Sequence, residues 1–82
     1  MYKIQFKKVA QKSLQRIDKR FHDRIAKKIE LLRLNPFTGK QLWGEYEGMF
    51  AVRVWPYRII YRVFKQDQVI QIEKVGHRQG VY

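Results

Sequence analysis

Three arginines fall where a β-sheet would gather them. If the turn at Trp55-Pro56 sets Arg53 opposite Arg58, the two-residue period of strands fixes which side chains share a face. One face then carries Phe50, Val52, Val54, Tyr57, Ile59, Tyr61 and Val63; the other carries Met49, Ala51, Arg53, Arg58, Ile60 and Arg62. A guanidinium stays charged at any relevant pH and offers forked donors that match phosphate oxygens. The inference is phosphate chemistry. The next apolar run, with Ile70 and Ile72 toward the core, sends Gln71, Glu73, Val75 and, just past the strand, His77 to the arginine side. Glu73 is expected to form a salt bridge with Arg53 or Arg58, which leaves His77 as the group free to move a proton.

The elements that must position these residues follow from periodicity. Tyr2, Ile4 and Phe6 alternate with polar residues and predict a first strand. From about Val9 to Leu34 the apolar spacing changes to three and four, with Ala10, Leu14 and Ile17 followed by Phe21, Ile25, Ile29 and Leu32. That is the spacing of one helical face. Asp18 is a suitable N-cap, so the region is expected to be two helices broken near Ile17 to Lys19. Lys12, Arg16, Lys19, Lys27 and Lys28 lie on the opposite face, where they read as a solvated surface. Asn35-Pro36 ends the second helix, because proline pushes its predecessor out of α geometry. A loop through Gly39, Gly44 and Gly48 leads to three runs rich in Val, Ile and aromatics: Phe50 to Trp55, Arg58 to Phe64 and Val69 to Val75. The expected fold class is α+β, in the order βααβββ, with a helical hairpin on one face of a mainly antiparallel sheet and a single domain over residues 1–82.

Composition narrows the partner. Eighteen Lys+Arg against seven Asp+Glu give a net charge of +11, which suits a polyanion. Nucleic acid, an anionic membrane surface and an acidic protein all answer that description. With no Cys there is no disulfide, and two His cannot build a structural zinc site, so packing of the 45% hydrophobic residues must stabilise the domain. Lys or Arg interrupts every apolar stretch, so neither a membrane span nor a signal peptide is expected and the cytoplasm is the expected compartment.

Three motifs in order carry a resemblance: Asn35-Pro36-Phe37-Thr38-Gly39-Lys40-Gln41-Leu42 with Gly44 and Gly48; Tyr57-Arg58-Ile59-Ile60-Tyr61; and Val75-Gly76-His77-Arg78 with Val81-Tyr82. Together they resemble the RelE/ParE toxin superfamily over nearly the whole chain. The resemblance implies a microbial-ribonuclease-like fold, an antitoxin encoded beside the toxin, and ribosome-dependent cleavage of messenger RNA in the decoding site formed by 16S rRNA. By position, Arg58 resembles the family's central arginine on the reacting phosphate, Arg78 its second arginine near the leaving oxygen, and Tyr82 the C-terminal tyrosine that orients the substrate nucleotide. Arg53 occupies a basic strand position. Ala51 departs from the pattern, since lysine-based members carry a proposed proton acceptor there.

Metal-free RNA cleavage needs a base for the ribose 2′-OH, positive charge on the phosphoryl oxygens, and an acid for the departing 5′-oxygen. Arg58 and Arg53 supply charge. Arg78 stabilises the leaving group electrostatically, because a guanidinium is a poor proton donor. His77 is left as base or acid, and the loop acids Glu45 and Glu47 read as solvated charges. Arg53, Arg62, Lys40 and Trp55 are the expected RNA contacts, with no cofactor and no metal. Phe37, Trp43 and Tyr46 are expected to pin the loop. Three other readings compete: a ParE-like gyrase inhibitor without nuclease activity, a non-catalytic RNA-binding module, and a decayed toxin, to which Ala51 gives weight. An acidic antitoxin should cover the basic face.

Overall fold

The computed structural model describes residues 1–79. Strand β1 (Lys3–Phe6) leads into helix α1 (Lys8–Arg16), a short 3-10 turn (Lys19–Phe21) and helix α2 (His22–Leu34). Strand β2 (Lys40–Gln41), a second 3-10 turn (Gly44–Tyr46), and strands β3 (Met49–Val54), β4 (Tyr57–Phe64) and β5 (Val69–His77) follow. The five strands are ordered β1-β5-β4-β3-β2, antiparallel except for the parallel pair β1 and β5. This is the expected α+β class with one strand more than βααβββ: β2 is only two residues long, too short to show a period. Among the described residues no helix is long and apolar enough to cross a membrane.

The helical hairpin breaks at the expected place. Ile17 leaves the helix with extended backbone, and the Asp18 carboxylate accepts the Arg20 N–H at 2.9 Å to start the next turn. The acceptor bond from that backbone N–H holds the Asp18 carboxyl below its ordinary range. His22, the first residue of α2, lies within hydrogen-bond distance of the Leu14 and Ile17 carbonyls through Nε2, at 3.1 and 2.9 Å. Carbonyls only accept, so in this arrangement Nε2 is the donor: it gives the Ile17 carbonyl a partner and adds a second donor to the Leu14 carbonyl, which already accepts the Ile17 N–H.

Both helices bury the predicted stripe. Ala10, Ile17, Ile25, Ile29 and Leu32 form one core with Val52, Val54, Ile59, Tyr61, Ile70 and Ile72 from the sheet. Phe50, Tyr57 and Val63 pack against it, so every residue assigned by alternation to the core face of β3 and β4 is there.

Alternation fails in β5. Ile60 lies opposite Lys74 but Tyr61 lies opposite Ile72, so Glu73 is an extra residue in a β-bulge. Downstream of it the faces are exchanged. Val75 pairs with Ile59 and joins the main core, and His77 pairs with Tyr57, not with the arginine side. The expected placement of Val75 and His77 beside the arginines is therefore corrected. Glu73 itself is buried, and its carboxylate meets Lys7 Nζ at 3.3 Å and Arg62 Nε at 3.9 Å while accepting from Gln71 Nε2. The expected partners Arg53 and Arg58 are not the ones it takes in these contacts.

Candidate anion-binding site

The arginine face is built by β2, β3 and β4. Arg53 and Arg58 are direct cross-strand neighbours, and Lys40 is the direct neighbour of Ala51, one strand further out. Like charges placed opposite each other weaken a sheet. An anion between them would turn that repulsion into attraction. Lys40, Ala51, Val52, Arg53 and Arg58 line a depression of about 130 Å³. Ala51 is small enough to leave its floor open, and Gly76, opposite Arg58, places no side chain over that residue.

The rest of this face is less polar than its alternation suggests. Leu42, Ala51 and Ile60 are buried together with Tyr46 and Met49 packed against them, a second small core beneath the loop that precedes β3. Burial of this patch confines the charged surface to the Lys40, Arg53 and Arg58 end.

The loop that delivers Lys40 is fixed from below. The buried Tyr61 hydroxyl donates to the Pro36 carbonyl at 2.7 Å and accepts the Gly39 N–H at 3.1 Å. Burial pushes the Tyr61 hydroxyl's pKa above its ordinary value, against the opposing pull of the Gly39 N–H. A Cβ on Gly39 would stand 2.5 Å from the Tyr61 oxygen and 3.0 Å from the Ala51 carbonyl oxygen, so only glycine fits without displacement. Phe37 meets the Phe50 ring edge-on at 5.8 Å and Tyr46 packs on the small core, as expected of loop anchors. Trp43 does not: it is 68% exposed.

The predicted site residues thus separate into groups. Arg53, Arg58 and Lys40 come together around the depression. Arg62 shares their face, but its guanidinium is drawn to Glu73 and passes close to Gly48, whose φ of +87° and missing side chain make room for it. Arg78 lies with its guanidinium 4.4 Å from the centre of the Trp55 ring, and its backbone N–H donates to the Pro56 carbonyl at 2.9 Å. His77 meets Tyr57 edge-on at 6.0 Å and borders an open depression with Ser13, Arg16 and Ile17 at the end of α1. It does not line the depression of Arg53 and Arg58. Glu45 and Glu47 are exposed loop charges. Tyr82, assigned to the substrate nucleotide, lies outside the described residues.

Sequence reasoning missed one neighbour of this site. Lys27 and Lys28 of α2, read as part of a solvated face, and Arg24, which that reading did not single out, border a groove with Arg53 and Trp55. Only tertiary packing brings them there. A more apolar groove, lined by residues including Ile4, Phe6, Leu14 and Ile29, lies between the helices and β1 and has the character of an unfilled core seam.

A helical hairpin laid on a five-stranded sheet is also the fold of solved RelE toxin structures. The chain belongs to the RelE/ParE superfamily: the model of the ParE toxin of type II toxin-antitoxin systems matches residues 4–82. A candidate toxin RelE1 of Methanocaldococcus jannaschii is 37% identical over 59 residues, which cover 66% of this chain and 64% of that protein's length. The chain therefore aligns with a little under two thirds of that relative. Among solved structures, the archaeal RelE-RelB complex from Pyrococcus horikoshii superposes with a TM-score of 0.81 at 28% identity, covering 96% of this chain and 97% of that one. The toxin-antitoxin complex RelBE2 of Mycobacterium tuberculosis gives 0.79 at 29% identity, covering 94% and 98%.

Proposed function

We propose that this chain is the toxin of a type II toxin-antitoxin pair and acts as a metal-independent endoribonuclease on messenger RNA. The observation that carries the reading is the opposed pair Arg53 and Arg58 with Lys40 beside it, around one depression. The scissile phosphate sits there. Both guanidinium groups hold its non-bridging oxygens as negative charge grows on them, and this is where preorganised donors lower the barrier most. The ribose 2′-hydroxyl gives up its proton to solvent water as its oxygen attacks the adjacent phosphorus, the new P–O bond forms as the bond to the 5′-oxygen breaks, and the products are a 2′,3′-cyclic phosphate and a 5′-hydroxyl. Lys40, as an ammonium, is the proton donor at hand for the departing oxygen.

The residues lining the depression include neither an imidazole nor a carboxylate. Phosphate clamps with no imidazole or carboxylate among the described residues of their depression gain most from a host that aligns the 2′-oxygen for attack, since orientation alone supplies a large part of such accelerations. That favours cleavage on the ribosome over cleavage of free RNA. The inhibitor is an acidic antitoxin, by charge complementarity with +11 and by analogy with the Pyrococcus and Mycobacterium relatives, which were solved as complexes with theirs.

The same lack of a lining proton acceptor, with the match to the ParE model, favours a second reading: inhibition of DNA gyrase through the basic face without RNA cleavage. Mapping transcript 5′ ends after brief expression, beside a gyrase supercoiling assay with purified protein, separates the two. New 5′-hydroxyl ends with unimpaired supercoiling are expected. Intact transcripts with lost supercoiling would replace the ribonuclease by the gyrase inhibitor.

A further inference from the structure

The basic residues of α2 are organised. Arg24, Lys27, Lys28 and Leu31 recur at three- and four-residue spacing and so lie along one side of the helix. With Arg53, Val54 and Trp55 they line an open groove of about 310 Å³ between α2 and the end of β3. Arg53 lines both this groove and the depression that holds Arg58 and Lys40. Arg53 is the side chain the two share, so a polyanion that crosses it can engage both. At the far end the Trp55 ring is 56% exposed, and the Arg78 guanidinium lies over it. A ring face that accepts a flat guanidinium accepts a flat nucleobase by the same geometry.

We propose that this groove is a second RNA subsite. Arg24, Lys27 and Lys28 take phosphates of the single-stranded segment flanking the bond held at Arg53 and Arg58, and a base of that segment stacks on Trp55 in exchange for the Arg78 guanidinium. Arg78 keeps its backbone bond to Pro56 during the exchange, and its freed side chain turns to the incoming phosphates. An acidic protein segment would satisfy the cations with carboxylates, whereas each nucleotide of single-stranded RNA brings a phosphate for the cations together with a flat base for Trp55. This inference rests on the proposed action on RNA, but its test reads binding and not cleavage.

Replacing Trp43 by Phe leaves Trp55 as the remaining tryptophan of the two in the chain. A single-stranded oligoribonucleotide with 2′-O-methyl riboses binds without being cut. Titrated into the Trp43→Phe protein, it should quench Trp55 fluorescence saturably. In fluorescence anisotropy, Trp55→Ala should weaken binding about tenfold, within the range for one lost base stack. Lys27→Glu with Lys28→Glu should also weaken it, and should flatten the dependence of log affinity on log salt by about 1.4, the value for two phosphate contacts to a single strand. RNA that depends on Arg53 and Arg58 for binding, yet leaves Trp55 unquenched and ignores the α2 reversals, overturns the subsite while sparing the ribonuclease. Quenching by a poly-glutamate peptide but not by RNA also overturns it. A protein that binds RNA through this groove and never cuts it would count against the ribonuclease alone.

Discussion

Gly39→Ala tests how tightly the sheet holds the loop that carries Lys40. The new Cβ would stand 2.5 Å from the Tyr61 oxygen and 3.0 Å from the Ala51 carbonyl, well inside normal contact. Tyr61 is fully buried and cannot swing aside, so either the loop lifts or the hydroxyl moves, and its bonds to Pro36 and Gly39 stretch together. Overpacking of this kind costs about 1–3 kcal/mol, and a buried hydroxyl left without partners costs about 1–3 kcal/mol. These overlap, since the loop relieves one by accepting the other. Against them stands about 0.4–1 kcal/mol from the lost flexibility of the unfolded chain. The net expectation is a loss of about 1–3 kcal/mol in urea unfolding, or a fall in Tm of about 4–24 °C for a domain of this size. Tyr61→Phe removes the oxygen that the methyl strikes. In that background Gly39→Ala should cost at least about 1 kcal/mol less than it does alone, a clear departure from additivity. If the two substitutions add within about 0.5 kcal/mol, the close approach does not hold this loop and the account of how Lys40 is positioned is wrong.

Arg58→Ala should lower cleavage at least about 10²-fold, and Arg58→Lys should recover little of it because an ammonium cannot make the forked contact; a fully toxic, folded Arg58→Ala protein would remove the depression from consideration as the active site. Arg53→Gln relieves the like-charged cross-strand pair and should raise stability by up to about 1 kcal/mol at low salt, a gain that 0.5 M salt (roughly a 4 Å screening length) erases; an unchanged midpoint in thermal melts would refute the repulsion. The raised pKa of Tyr61 means that the unfolded chain ionises first, so its contribution is whole below about pH 10 and is lost as pH rises toward the folded value. Wild type should therefore lose stability faster than Tyr61→Phe above about pH 10, and parallel curves would contradict it. Asp18 has the opposite sign. Its lowered folded pKa gives stability that is present above about pH 4 and lost as pH falls through the folded value, so Asp18→Asn, which keeps the cap, should flatten the acid limb of an unfolding curve.

What was legible in the sequence is what local period controls. The change from spacing two to spacing three and four located the hairpin, and Asp18 marked its break. Alternation across Trp55-Pro56 placed seven core residues and set Arg53 against Arg58, because a hairpin fixes register once its turn is known. The same rule misplaced His77. The signal was there: Ile70 and Ile72 step by two, but Val75 comes after two consecutive polar residues, Glu73 and Lys74, and a period-two pattern broken by one residue is what a bulge leaves behind. The pairing of Lys40 with Ala51 had no such trace, since two residues carry no period. The approach of α2 to Arg53 was invisible as well, because it depends on how a helix lies across a sheet and not on any spacing along the chain.

The supernumerary Glu73 also bears on how this chain tolerates changes of length. Because the bulge absorbs one residue whole, Ile60 to Tyr57 pair with Lys74 to His77 just as they would if position 73 were missing. A deletion there shortens the chain without displacing Gly76 from Arg58 or Val75 from the core, and what disappears is the carboxylate that engages Lys7 and Arg62. Arg62, once released, becomes a further cation on the anion-binding face. A chain without this residue would superpose on this one on both sides of a single gap, and the gap would mark where an arginine restrained here becomes available to a ligand.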